Sequence, residues 1–236
     1  MDEIPKSPNF GPPPKFSPAL VVTHMMIVGA RGHAVEVLQC LSVGERERAV
    51  FFDDVTLNQP LRVLGQYPLL RTYAEALAYL TDIDPRFVLG LGGPVLRQRM
   101  ARQFQACGGV LKSVIAATSV VGPHVAELGS GLNLMHYTLV APSVRLGEGV
   151  LINAGAAVHH DAEVGDYCEI SPGARILGRC RLGHGCRIGA LAAVLPDVVI
   201  GEQAVIGAGA VVTRNVPAGA TVAGVPAIPL SSSNRK

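Results

Sequence analysis

The chain has 236 residues with a formal net charge of +2, and 49% of them are apolar. That length allows one large domain or two small ones. The scattered Lys and Arg leave no basic stripe for nucleic acid, and no uncharged apolar run reaches the roughly 18 residues of a membrane span.

Aromatic residues make up only 5%, Trp is absent and Gly numbers 27, so a core of small and β-branched side chains is expected. Residues 1–19 are Pro-rich and polar, with no signal-peptide h-region, and read as a flexible tail. Five cysteines without a secretory signal suggest reduced thiols in a cytoplasmic protein.

Residues 20–115 alternate strand-like and helix-like segments. An apolar run from Leu20 to Val28 reads as a first strand ending in Gly29-Ala30-Arg31-Gly32-His33. A helical pattern with Val35, Leu38 and Leu41 on one side follows, then a buried strand at Val50-Phe51-Phe52 ending at Asp53-Asp54. Tyr73 to Leu80 is expected to be helical, Phe87 to Leu91 a strand, and Leu96 to Cys107 helical again. Strands alternating with helices predict a parallel sheet, here a small Rossmann-like α/β domain.

Residues 116–230 have a different rhythm. From Leu128 an aliphatic residue recurs every six positions through Leu134, Val140 and Leu146 to Val212, fifteen in all. A second small residue stands four places later, as in Ala156, Cys168 and Cys186, and Gly often follows the aliphatic one directly, as in Gly147, Gly183 and Gly189. Such a period makes one short strand and one corner per repeat, and three repeats close a triangular coil. A mainly β fold follows, a parallel β-helix of about five coils, with the glycines expected to supply the corner conformations. The interior register of Cys168, Cys180 and Cys186 fits packing better than metal binding.

The Gly29-to-His33 loop follows a strand and opens a helix, and Asp53 lies 24 residues beyond Gly29. Its amides fit phosphate binding and the acid fits a ribose; a purely structural turn is the alternative. His136, His160 and His184 recur at 24 residues, which does not stack them within one chain, and no cluster suits a zinc site.

The two halves together, with Asp53-Asp54, the stretch Leu89-Gly90-Leu91-Gly92-Gly93 and Arg97, resemble the sialic acid O-acetyltransferase-like (NeuD/PglD-like) group of hexapeptide-repeat acyltransferases. The segment Asn153 to Asp161 and the ending Val211 to Pro226 are similar to its catalytic and C-terminal signatures. The resemblance implies a left-handed coil, a homotrimer, and acetyl transfer from acetyl-CoA, without a metal, to the amino group of a nucleotide-linked amino-sugar of the 4-amino-4,6-dideoxy type. It also implies that His160 is the general base, that Asp161 orients it, and that the Gly178 amide faces the thioester oxygen. His159 is the rival base.

By the same likeness Gly29, Arg31, Gly32, His33, Asp53, Asp54, Gly92 and Asn153 hold the acceptor, and Glu169, Gly173, Gly178, Ala190 and Ala208 meet acetyl-CoA. Ala34 and Glu169 depart from the family pattern, which has glycine and often histidine there. O-acetylation of a sugar or sialic acid on the same scaffold, a zinc hydratase and a non-catalytic nucleotide-sugar sensor are the competing readings.

Overall fold

The computed structural model describes residues 25–56 and 60–230. The tail and the Leu20–Val22 start of the expected first strand lie outside the described residues. The N-terminal half runs β1 (Met25–Val28), α1 (Gly32–Cys40), α2 (Val43–Arg46), β2 (Ala49–Phe52), β3 (Arg62–Val63), β4 (Tyr67–Leu70), α3 (Tyr73–Asp82), β5 (Arg86–Leu89), α4 (Pro94–Ala106) and β6 (Val110–Leu111).

Its sheet has the order β3-β4-β2-β1-β5-β6, parallel except for the β3–β4 pair. β1 and β2 are buried along their whole length, because helices cover both faces. Met26, Val28, Val50 and Phe52 pack with Tyr79, Leu80 and Phe104, while Met25, Ile27, Ala49 and Phe51 pack with Val37 and Leu38. The buried stripe of α1 is Ala34, Val37, Leu38 and Cys40. Of the expected stripe, Leu38 and Leu41 are buried in this core, Leu41 as the cap of a helix that ends at Cys40, and Val35 packs against it half-buried. Successive connections leave β1 toward β2 on one side and β5 on the other. A crevice therefore opens at the carboxyl ends of β1 and β5, where ligands of such sheets bind.

The second half is a left-handed parallel β-helix. Its three faces carry seven, six and five parallel strands of two or three residues each, so it exceeds the five coils expected. Fourteen of the fifteen aliphatic positions are buried in one continuous core with the alternate small residues. Leu128 is the exception at 41% exposed, because it sits on the edge strand of its face, at the open end of the coil.

Coiling starts earlier than the period shows, at Val114–Ile115. There Leu134 pairs with Ile115 and Val140 with Val121, 19 residues apart, whereas Leu146 pairs with Leu128, 18 apart. One extra residue before Leu128 breaks the six-residue register and hides the first turn.

The glycines that directly follow the aliphatic residues do not supply the left-handed corner conformation expected of them. The left-handed backbone falls two places beyond Gly147, Gly183 and Gly189, at Gly149, Gly185 and Leu191. Gly189 itself is needed for close approach: a Cβ there would sit 2.5 Å from the Ala208 nitrogen of the next coil. Non-glycine residues, among them Asp161, Arg179 and Asp197 at φ of 59°, 62° and 66°, take several of the corner positions.

The sheet domain packs against one face of the coil. Val114, Ala116, Met135 and Leu151 share a core with α1. Across the same junction Arg97 of α4, fully buried, donates to the carbonyls of Leu91 and Gly149 and to Asn133 Oδ1 at 2.8–3.2 Å. Asn133 Nδ2 in turn donates to the Leu89 carbonyl at 3.0 Å.

Candidate active site

His160 stands on the corner that follows the strand Ala157–Val158. Its Nδ1 lies 2.7 Å from Asp161 Oδ2. A carboxylate only accepts, so this contact places the proton on Nδ1 and leaves Nε2 as a lone pair. Gly178, one coil further on, lies directly beneath the ring. A Cβ there would be 2.5 Å from His160 Cε1 and 2.6 Å from Nε2.

The Gly178 N–H enters no backbone hydrogen bond among the described residues, while its carbonyl accepts from Asp197 N at 3.1 Å. A carboxylate-oriented imidazole and a glycine whose N–H has no backbone partner among the described residues are thus in contact; acyl transfer needs a base and an oxyanion donor. His159 has its amide tied to the Ile176 carbonyl at 2.8 Å, and no carboxylate orients its ring among the described residues. Gly178→Ala is expected to push the imidazole aside and lower kcat at least tenfold with an unchanged fold; circular dichroism and steady-state kinetics check it.

Of the residues expected on the acceptor side, all but Asn153 lie around the crevice of the sheet. Gly29 at φ +111° donates to the Phe52 carbonyl at 2.7 Å, and a Cβ there would meet the Gly90 carbonyl oxygen at 2.7 Å. Only glycine lets the two crevice loops touch.

Asp53 accepts at Oδ1 from the amides of Val55 and Thr56 and at Oδ2 from the Thr56 hydroxyl. Partial burial opposes its ionisation, but the Thr56 and Val55 donors and the Arg31 charge outweigh this and hold its carboxyl below the usual range. Thr56 Oγ1 also accepts from Arg31 at 3.0–3.1 Å, so Asp53, Thr56 and Arg31 form one chain along the crevice. Asp53 therefore shapes its own loop; Asp54 beside it is exposed.

Gly32 opens α1, and its neighbour His33 contacts Glu36. Asn153, 9% exposed, lies on the corner before His160 and lines a cavity of about 220 Å³ with Glu36, Gln39 and His136. Neither Glu36 nor Gln39 has a motif signal in the sequence; only the packing of α1 on the coil brings them to Asn153.

The residues assigned to acetyl-CoA divide. Gly173, Ala190 and Ala208 line the corner that also carries Asn153, where Leu191, 74% exposed, covers Gly173. Gly178 lies on the next corner with His160. Glu169 belongs to neither group. Its Oε2 accepts from Gly93 N at 2.7 Å, and a Cβ on Gly92 would lie 3.7 Å from its carboxylate, so it sits with the crevice loops. The two corners are separated by a coil face and do not meet within the chain. Among the described residues no group of three or more His, Cys, Asp or Glu could hold a metal ion.

Residues 24–104 match the PglD N-terminal domain, and residues 143–178 and 179–214 match the bacterial transferase hexapeptide (six repeats). None of the curated proteins matches the chain. Among solved structures, the acetyltransferase domain of PglB from Neisseria gonorrhoeae is 31% identical with a TM-score of 0.78, over 88% of this chain and 99% of that one. A mutant perosamine N-acetyltransferase from Caulobacter crescentus, in complex with CoA and GDP-perosamine, is 28% identical with a TM-score of 0.82, over 91% and 100%. WeeI from Acinetobacter baumannii is 27% identical with a TM-score of 0.77, over 88% and 100%. Nearly full-length similarity to these proteins, with both halves matched by family models, shows that the chain belongs to the PglD-like hexapeptide-repeat sugar acetyltransferases.

Proposed function

We propose that the chain transfers an acetyl group from acetyl-CoA to the amino group of a nucleotide-linked amino-sugar of the 4-amino-4,6-dideoxy type, with His160 as general base. The observation that carries this is the Asp161–His160 pair set over the Gly178 amide. The amine lone pair attacks the thioester carbonyl and forms the C–N bond. His160 Nε2 takes the proton of the attacking nitrogen, the Gly178 N–H stabilises the oxyanion, and Asp161 holds the imidazolium. Collapse breaks the C–S bond, and the proton on His160 passes to the departing thiolate of CoA. No covalent enzyme intermediate is needed.

The crevice loops hold the nucleotide-sugar and the small-residue corner at Gly173, Ala190 and Ala208 receives the pantetheine arm. Because His160 and that corner are separated by a coil face, a neighbouring copy has to supply one of them, and we read the active unit as a homotrimer. The cysteines are free, which fits a reducing, cytoplasmic setting. The test is thiol release from acetyl-CoA with GDP- and UDP-linked 4-amino-sugars and their 4-hydroxy counterparts. Turnover confined to an amino-sugar is the expected result. Turnover on a hydroxyl counterpart alone replaces N-acetylation by O-acetylation.

A further inference from the structure

α4 begins without the groups that usually close a helix N-terminus. Its cap residue is Gly93, which has no side chain to accept from the first-turn amides, and Pro94 follows it. The first turn carries no acidic residue either. The acceptor comes instead from the coil, 76 residues away: Glu169 Oε2 accepts from Gly93 N at 2.7 Å. A carboxylate is favoured at this end of a 13-residue helix, where unpaired N–H groups and the helix dipole both attract negative charge.

Glu169 stands at the rim of the junction between the halves. In its sheet it lies between Leu151, buried in the core shared with α1, and Arg187, which is exposed. Pro94 rests over the following coil, where a Cβ on Gly185 would be 3.8 Å from it. The Leu89–Gly93 loop is therefore held at both ends. Asn133 donates to the Leu89 carbonyl and Arg97 to that of Leu91, while Glu169 takes the Gly93 amide. Arg97 and Glu169 also act on each other: burial lowers the Arg97 pKa, and the Glu169 carboxylate is the larger of the influences opposing it. Among the described residues this carboxylate bonds to the loop and to nothing on the corner of Gly173, Ala190 and Ala208.

Resting on the nucleotide-sugar reading above, we propose that Glu169 is a positioning residue for the acceptor and not a contact of acetyl-CoA. Its carboxylate caps α4 from the coil and so fixes the loop after β5 that forms one wall of the crevice. Acceptor affinity then depends on a residue of the coil that the acceptor does not touch.

The test compares full-length wild type, Glu169→Ala and Glu169→Gln, whose amide oxygen still accepts from Gly93 N. Hydrogen exchange over residues 89–96 is expected to quicken in the Ala variant and to stay near wild type in the Gln variant. Glu169→Ala is expected to raise KM for the GDP- or UDP-linked 4-amino-4,6-dideoxy-sugar about tenfold, with kcat and KM for acetyl-CoA unchanged. Glu169→Gln is expected to keep most of the affinity. A rise confined to KM for acetyl-CoA returns Glu169 to the donor and overturns the proposal. Unaltered exchange in the Ala variant overturns it too, as does a lower melting temperature with both KM values unmoved. A Gln variant as impaired as the Ala variant also overturns it, since the acceptor atom is then not what matters. Calorimetric binding separates this inference from the chemistry. Wild type that binds the nucleotide-sugar but releases no thiol removes the acetyltransferase reading alone, and the Kd values of the variants then decide the role of Glu169. Wild type that binds neither nucleotide-sugar overturns the acceptor reading and this inference with it.

Discussion

Replacing His160 by Ala is expected to lower kcat by at least about 10²-fold, with KM for acetyl-CoA little changed. The reason is geometric. His160 is the histidine whose Nδ1 is engaged by a neighbouring carboxylate at 2.7 Å while its Nε2 edge overhangs Gly178, whose N–H has no backbone partner among the described residues. In the proposed arrangement the donor is held at the next corner, by Gly173, Ala190 and Ala208, so removing the histidine is expected to leave its binding undisturbed. Asp161→Asn is expected to lose less, because the ring keeps its seat over Gly178 and forfeits only the fixed tautomer and the charge that steadies its imidazolium. The measurement is steady-state thiol release for each variant beside calorimetric binding of CoA. A His160→Ala enzyme within about threefold of wild type would contradict the base assignment, and the same loss in His159→Ala alone would transfer it to the neighbouring ring.

The coil was legible in the sequence and its contacts with the sheet domain were not, for one physical reason. A stacked coil repeats the same environment every six residues, so each of fourteen buried aliphatic positions states the same constraint again. Where the environment changes, the statement is lost. The extra residue before Leu128 moves the first turn out of register, and so Val114 to Val121 carries no visible period.

The glycines show the limit of assigning residue type to cause. Gly189 and its equivalents are small because the adjacent coil is close, whereas the corner itself accepts Asp161, Arg179 and Leu191 in left-handed backbone.

The crevice loops were legible as a strand–Gly–helix motif, and their order along the edge of the sheet agrees with it. The local bonds of Asp53 were not, because its carboxylate is engaged by the amides two and three residues ahead with no sequence motif to announce it. A linear pattern contains no information on which edge of a triangle a residue occupies, so the division of Gly173, Ala190 and Ala208 from Gly178 and His160 is visible only in the fold. Glu169 is a donor contact by likeness alone. Its placement against Gly93 is fixed by a pairing 76 residues apart that no local signal announces.

Arg97 carries the other large effect. Its guanidinium is fully buried and desolvation, the largest influence, pulls its pKa down to about 10, so it remains cationic at neutral pH. Most of its partners are neutral: the Leu91 and Gly149 carbonyls and Asn133 Oδ1, with the Glu169 carboxylate acting at longer range. These acceptors come from both halves of the chain, which makes the side chain a clamp between the Leu89–Gly93 loop and the coil.

Arg97→Met keeps much of the volume and strands at least three buried acceptors. At about 1 kcal/mol or more for each, the loss is about 3 kcal/mol, and the thermal midpoint is expected to fall by roughly 6–12 °C for a chain of this size. Arg97→Lys retains the charge but has a single ammonium, which cannot span the fork of acceptors, so it is expected to recover less than half of the loss. Calorimetric melts of the three proteins check this, and a Met variant melting within about 2 °C of wild type would refute the clamp.

The same variants connect stability with function. The loop that Arg97 holds ends in Gly92 and Gly93, against Glu169 and beside the His33 loop, so loosening it should raise KM for the nucleotide-sugar before it affects kcat. Damage confined to kcat would place Arg97 in the chemistry instead, a role its complete burial away from His160 does not support.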